Sequence, residues 1–271
     1  MIKLMNILVC IKQVPNTEEL KVDAGAGTSN LDSVPLVVNS FDTCALETAL
    51  KLKDADASIK IVAVSLGAEK AKDALKSSVS VGADKAYLLT DEAFAGSDTL
   101  ATSYALSKAV KYIEEQEGAA FDIIFCGKQA NDGDTAQVGP QLAEFLDYPQ
   151  LTYAREVEID GANVKVRRET EDGYIVASAA MPVVVTITKT PFDLRFASVK
   201  SKMAANKAVI PFLSSADLGL DAAKIGLGGS ATKVRDTYVP ERKTGGVKIE
   251  EEEAEIAVDK LVALLSEAAV I

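Results

Sequence analysis

The sequence contains no histidine, and that absence removes the Ser-His-Asp and Cys-His nucleophile systems together with every metal site that depends on imidazole. Cysteine is scarce as well. Cys10, Cys44 and Cys126 stand far apart and form no C-x-x-C pair, so they read as buried thiols in a reducing compartment and not as a disulfide framework. No run approaches the ~20 apolar residues that span a bilayer. The opening Met1-Ile2-Lys3-Leu4-Met5-Asn6 also lacks the apolar stretch of a signal peptide. The expected location is therefore cytoplasmic, without membrane insertion. Basic residues are outnumbered 29 to 40, for a formal charge of -11, and such a field repels polyanions and argues against nucleic acid as a partner. Redox or group-transfer chemistry in this chain has to be borrowed from a cofactor.

What is present is ample apolar material: 271 residues at 48% hydrophobic content suffice for one large α/β domain with an appendage, or for two small domains. The first half alternates short β-branched runs with helical periodicity, the pattern of βαβ units around a parallel sheet. Asn6 to Ile11, Ile59 to Leu66, Lys85 to Leu89 and Phe121 to Cys126 read as strands. Between them, Asn39 or Ser40 can cap a helix with Ala45, Leu46, Ala49 and Leu50 on one face. A second helix carries Ala71, Ala74, Leu75, Ser78 and Val79, with Gly82 placed to end it. The segment Ser97 to Glu117 has Leu106, Ala109, Val110 and Ile113 on one stripe. Residues 12–38, with Pro15, Gly25-Ala26-Gly27 and Pro35, break this rhythm as a long excursion after the first strand.

After Tyr148-Pro149 the period changes to two. Val157, Ile159, Val164 and Val166 flank a turn at Asp160-Gly161, and Asp172-Gly173 offers another before Tyr174 to Ala177, which predicts an antiparallel meander. Val183 to Ile187 is apolar enough to be a buried strand. From Lys189 onward apolar runs are few and only Ala254 to Leu265 is clearly helical, so the stretch is expected to be an arm that wraps another surface. Glu250 to Glu253 reads as a solvated helix start and Gly226 to Lys233 as a flexible bend. The fold class is thus α/β: a three-layer, Rossmann-like, mostly parallel sheet with an antiparallel extension and a C-terminal arm.

Chemistry concentrates in Cys126 to Gln141, CGKQANDGDTAQVGPQ, which leaves the fourth strand for a helix with Val138, Leu142, Phe145 and Leu146 on one side. Ligands of open α/β sheets bind beyond the carboxyl ends of the strands. Gly127, Gly133 and Gly139 permit close approach of backbone to a ligand, and free amides at a helix start suit a phosphate or pyrophosphate. Asp134 with Gln137 resembles a capping box that would start the helix at Thr135, whereas Pro140 favours a start near Gly139. Both starts are open on the sequence, as is the plainer reading of a glycine-rich connection with capping aspartates. The segment lacks the Gly-Lys-Ser/Thr of a Walker loop, and Gln137 stands where an EF-hand needs glycine. Lys12-Gln13-Val14-Pro15 follows the first strand in place of G-x-G-x-x-G, which counts against a plain dehydrogenase. Cys10 and Cys126 read as small residues near a ligand, without a redox role.

NILVCIKQVPNT, NSFDTCALETALKLKD, VSLG, GADKAYLL, CGKQANDGDTAQVGPQLAEFLDYPQLTYA, MPVVVTITK and RFASVKSKMAANK together make nearly the whole chain resemble the β subunit of electron-transfer flavoproteins. The resemblance implies a larger α-subunit partner and a site for FAD, or alternatively AMP. It divides the chain into residues 1–190 as the nucleotide-binding domain and 191–271 as a recognition loop and an arm wrapping the partner subunit. The implied cofactor contacts are Cys10, Asn39, Phe41, Asp42 and Leu66, then Cys126, Gly127, Gln129, Asp132, Gly133, Asp134, Thr135, Ala136, Gln137, Val138 and Gly139. The form DGDTAQVGP looks like the NADH-linked, electron-bifurcating members, which use NAD(H), an acyl-CoA dehydrogenase-like or other flavin dehydrogenase, and ferredoxin or flavodoxin. The family commonly has proline after Asn39 and an apolar residue at position 131; here Ser40 and Asn131 stand instead. Arg195 to Lys207 resembles the family's recognition loop, with Val199 at the anchoring position and Arg195, Lys200 and Lys202 as the charges that would meet acidic groups on a dehydrogenase. No catalytic residue and no metal site is expected in this chain.

Overall fold

The computed structural model describes residues 4–16, 34–235 and 245–271. The Gly25-Ala26-Gly27 part of the expected excursion lies outside the described residues. In chain order the first elements are β1 (Asn6–Cys10), β2 (Gln13–Pro15), β3 (Leu36–Val38), α1 (Ser40–Ala55), β4 (Lys60–Leu66), α2 (Lys72–Val81), β5 (Lys85–Leu89), α3 (Thr99–Glu117), β6 (Ile123–Gly127) and α4 (Val138–Leu146). They are followed by β7 (Gln150–Asp160), β8 (Asn163–Thr170), β9 (Gly173–Ala180), β10 (Val183–Ile187), α5 (Val199–Asn206), β11 (Phe212–Leu213), α6 (Gly226–Gly229) and α7 (Ala254–Glu267).

Nine strands form one sheet in the order β11-β5-β4-β1-β6-β10-β7-β8-β9, while β2 and β3 pair by themselves. Every pairing from β11 through β7 is parallel, and β7, β8 and β9 continue antiparallel. The sheet is therefore the Rossmann-like, mostly parallel one expected, with the antiparallel extension at one edge. Alternation along the strands decides the layers: Ile7 and Val9 face the helices α1 and α2, and Leu8 faces α3 and α4. All five residues of β10 are buried, because parallel strands are covered on both faces.

Local signals place some of the helix ends. Asp98 caps α3 by accepting the N–H groups of Leu100 and Ala101 at 3.0 Å each, and Gly118 ends it in the left-handed region. Gly82 ends α2 at φ 134°. Between β7 and β8, Asp160 pairs with Asn163 across the turn expected at Asp160-Gly161.

Two readings of the last third differ from what forms. Residues 189–235 do not stay clear of the sheet: β11 adds to β5, and Leu213 and Ile225 enter the second core. α5, which weak periodicity concealed, is capped by Ser198, whose Oγ accepts the Ser201 N–H at 3.1 Å, and buries Ala205. It packs on α2. Gly226 to Lys233 is no free bend either: the Gly226 N–H donates to Ser97 Oγ, Ser230 Oγ accepts from the Asp98 N–H, and the Thr232 N–H donates to Asp98. Such long-range polar contacts leave no periodic trace. The first compact unit accordingly runs past the boundary at 190 to include the described residues up to 235, and residues 245–271 form a second unit. In that second unit α7 begins after Glu253, and the acids ahead of it pair with lysines, Glu250 with Lys248 and Glu251 with Lys260.

Arg195 ties the segment ahead of α5 to α1. Its guanidinium donates to both carboxylate oxygens of the buried Glu47 at 2.9–3.0 Å and to Asp54 at 2.7 Å. Those two carboxylates hold the Arg195 pKa above its ordinary value, Glu47 contributing most. Removing the cation leaves an unpaired carboxylate in the interior. Arg195→Ala is expected to cost about 3 kcal/mol of unfolding free energy in urea titrations, and the double change Glu47→Met with Arg195→Leu to recover most of that loss.

Candidate functional site

The chain leaves β1 toward β4 and β5 on one side, then returns through α3 to β6 on the other. The strand order thus reverses between β1 and β6, and the edge beyond their carboxyl ends is where ligands of such sheets bind. Cys10 closes β1, Leu66 closes β4 and Gly127 closes β6. The start of α1 brings Asn39, Phe41 and Asp42 to the same edge, and the segment 128–139 runs over it into α4.

Two buried polar side chains build this edge. Asp42, 6% exposed, accepts the Lys12 N–H at 2.7 Å with one oxygen and the Gly127 N–H at 3.1 Å with the other. Asn39 donates its amide N–H to the Gln129 carbonyl at 2.8 Å and accepts the Asn131 N–H at 3.1 Å. Asn39 stands at the N-cap position of α1 but makes no side-chain cap, because its amide is engaged by the segment after β6. Gly127 follows from the same packing: a β-carbon there would meet Asp42 Oδ1 at 2.3 Å and Phe41 Cβ at 2.8 Å. Gly139 is equally confined, since a β-carbon would lie 2.4 Å from Thr186 Cγ2 and 3.5 Å from Cys126 Cβ. These two glycines serve close approach of protein to protein.

α4 starts at Val138. The Pro140 reading comes near this start, and the capping box does not form: Asp134 sits at φ 51° and accepts from Gln129 Nε2 instead. Gln137 occupies the cap position without a side-chain cap bond, its Oε1 accepting from Thr99 Oγ1 at 2.8 Å. Pro140 has no N–H, so the open donors of the first turn are those of Val138 and Gly139. Ala136 also has positive φ, at 53°, and residues 131–135 are exposed. Strained backbone beside free amides is the sort of arrangement that concentrates at ligand sites. Asp132 is drawn into a salt bridge with Lys12 at 2.7 Å, which removes part of the negative charge facing the crevice.

Local sequence could not have singled out Lys12, Thr99 or Thr186, whose partners are all remote in the chain. The two departures from the family pattern are themselves such remote partners. Ser40 and Asn131, the two positions that differ from the common family pattern, meet in space, Ser40 Oγ lying 3.2 Å from the Asn131 side chain. A polar contact bridges α1 and the 128–137 segment there. Val199, Lys200 and Lys202 are not part of this edge; they lie on α5, where Val199 is 77% exposed. Arg195 is engaged by Glu47 and Asp54 of its own chain, which leaves Lys200 and Lys202 as the outward charges of that group.

A mostly parallel sheet covered by helices on both faces, with its switch point between β1 and β6, defines a Rossmann-like α/β protein. The particular family follows from comparison. The family model described as "Electron transfer flavoprotein domain" matches residues 30–218. The chain is 48% identical over 261 residues to the electron transfer flavoprotein subunit beta of Megasphaera elsdenii, covering 95% of this chain and 97% of that one. It is 39% identical to the caffeyl-CoA reductase-Etf complex subunit CarD of Acetobacterium woodii, over 90% of this chain and 92% of that one. It is 40% identical to protein FixA of Azorhizobium caulinodans, over 87% of this chain and 85% of that one. This chain belongs to the electron transfer flavoprotein family as a β subunit, a membership that implies an α-subunit partner. Among the described residues, no helix is long and apolar enough to cross a membrane.

Burial raises the Asp42 pKa from 3.8 to about 7, against the lowering by N–H donation from Lys12, Asn39 and Gly127 and by the Lys12 charge. A carboxyl whose folded pKa exceeds its unfolded value contributes stability that is fully present below the unfolded pKa and disappears as pH rises through the folded one. The unfolding free energy of the native chain should therefore fall relative to that of Asp42→Asn between about pH 4 and pH 7, by at most about 4 kcal/mol. Urea titrations of both proteins across that range check the sign. A difference independent of pH would show that Asp42 does not titrate there.

Proposed function

We propose that this chain holds FAD at the crevice between β1 and β6 and, with its α subunit, moves electrons between NADH, a flavin dehydrogenase and a low-potential acceptor such as ferredoxin or flavodoxin. The observation that carries the reading is the first turn of α4, which has no side-chain cap at Gln137 and follows β6 at the switch point. Thr135 adds an exposed hydroxyl on the segment leading to that turn. Cys10, Leu66 and Val138, half-buried against one core cluster, offer an apolar wall for an adenosine. These groups fit a dinucleotide: main-chain donors for its linkage, apolar surface for its base.

When bound, the flavin supplies hydride acceptance from NADH and delivery of electrons one at a time. This chain's residues bind and orient. The Val138 and Gly139 amides hold the anionic linkage, Gln129 holds Asp134, and Asn39 and Asp42 keep both strand ends at fixed separation. No side-chain proton carrier is required, so the absence of histidine is no obstacle. The DGDTAQVGP sequence supports the electron-bifurcating, NADH-linked subclass, and a relative's occurrence in a caffeyl-CoA reductase-Etf complex supports a flavin dehydrogenase of the acyl-CoA type as partner. α5 would meet that dehydrogenase through Val199, with Lys200 and Lys202 at the rim. α7, with Ile256, Leu261 and Leu264 exposed, would lie on the α subunit as the arm.

The test is coexpression with the α subunit, denaturation of the purified heterodimer and chromatographic identification of what is released. FAD bound by the β subunit is expected; AMP in its place would assign the chain to the non-bifurcating, structural alternative. Thr135→Ala should weaken retention about fivefold, the equivalent of one hydrogen bond of about 1 kcal/mol. Gly139→Trp is a poor probe of the ligand, because the new side chain would first collide with Thr186. Nucleotide content unchanged in Thr135→Ala combined with Val138→Trp would exclude this crevice as the site.

A further inference from the structure

Cys10 and Cys126 are remote in sequence, and the sheet brings them side by side. β1 and β6 are parallel neighbours in the register Ile7 to Ile123, Leu8 to Ile124 and Val9 to Phe125. One step further along the same register sets Cys10 beside Cys126. Leu8 and Ile124 both belong to the core on the α3 and α4 side, so the two thiols, two residues on, project to that same face. The neighbouring Cys10 thiol, followed by burial, pushes the Cys126 pKa well above the thiol range. Cys10 is the more accessible of the two; Cys126 and Cys44 are buried.

We propose that Cys10 and Cys126 form an oxidisable dithiol at the mouth of the crevice, a modification site that closes reversibly to a disulfide between β1 and β6. Adjacent strands lie about 4.8 Å apart, inside the Cα separation of about 4.4–6.8 Å that a disulfide accepts. Their β-carbons stand at about the strand spacing, whereas a relaxed disulfide holds them about 3.8 Å apart. Closing the bond therefore draws the two strand ends together at the switch point. A bond made under that tension is readily reduced, which suits reversible oxidation in a reducing compartment.

Hydrogen peroxide is the oxidant for which the step is written. The Cys10 thiolate attacks one peroxide oxygen, the O–O bond breaks, and Cys10 becomes a sulfenic acid as hydroxide leaves and takes up a proton. Cys126 then loses its proton and its sulfur attacks that of Cys10; the S–O bond breaks and a second water leaves. Two thiols give up two electrons and two protons, and one peroxide becomes two waters.

The consequence reaches the cofactor site. Gly139 packs on Cys126, its ideal β-carbon position lying 3.8 Å from the sulfur, so the first turn of α4 must follow that residue. Oxidation should distort the donors of that turn, and a nucleotide lying over Cys10 should shield the thiol. This shielding rests on the function proposed above; the disulfide itself does not.

The experiment uses the heterodimer with its α subunit, stripped of bound nucleotide and treated with one equivalent of hydrogen peroxide. Two of this chain's three thiols should disappear, peptide mapping should recover a Cys10–Cys126 linked pair lighter by two hydrogens, and dithiothreitol should restore both. Cys126→Ser should instead leave Cys10 as a sulfenic acid that dimedone traps. Added FAD or AMP at ten times its dissociation constant should slow the linkage about tenfold. Sulfinic acid on Cys10 with Cys126 intact, or three unreacted thiols, would overturn the proposal. Linkage at the same rate with and without nucleotide would leave the dithiol standing and count against the cofactor site.

Discussion

The organising constraint of this molecule is a buried carboxylate. Asp42 holds the backbone just after β1 and the last residue of β6 through two amide hydrogen bonds, and so fixes the two strand ends on either side of the switch point. Asn39 extends the clamp to the segment after β6. Together they decide how wide the crevice is and where the 128–137 segment begins. The need for glycine at position 127 is a direct result, as no β-carbon fits beneath the Asp42 carboxylate. An uncompensated polar group in the interior costs several times what a satisfied one contributes, so the arrangement tolerates little change.

That clamp occupies the polar side chains at this edge. Asp132 is likewise paired, to Lys12. The acidic chain manages its internal charge in the same way further along α1, where Arg195 closes the buried Glu47 and holds the approach to α5 against that helix. The outward surface of α5 is left apolar around Val199 and Met203, flanked by lysines, as expected of a chain that works in an assembly.

Much of the fold was legible because its signals are local and periodic. The parallel strands up to β6, the three helices between them and the antiparallel meander after Tyr148-Pro149 all announce themselves by period, and Gly82 and Asp160-Gly161 mark their ends or turns. Readings failed where a side chain had a remote partner. Asn39 looked like a cap and serves another segment; Asp134 looked like half of a capping box and sits at positive φ; the stretch after Lys189 looked coreless because Leu213 and Ile225 enter a core that other elements supply.

By itself, then, the sequence determined the fold class, the place in the chain where the fourth strand passes to the next helix, and the family, since hydrophobic period and quotable segments depend only on neighbouring residues. Tertiary structure alone decided which polar groups remain free to meet a ligand. It also joined Ser40 to Asn131, and it set Cys10 against Cys126. The reason is physical: hydrogen-bond satisfaction and close packing are properties of atoms brought together by folding, and nothing in the local pattern of a chain records which distant partner each buried group will find.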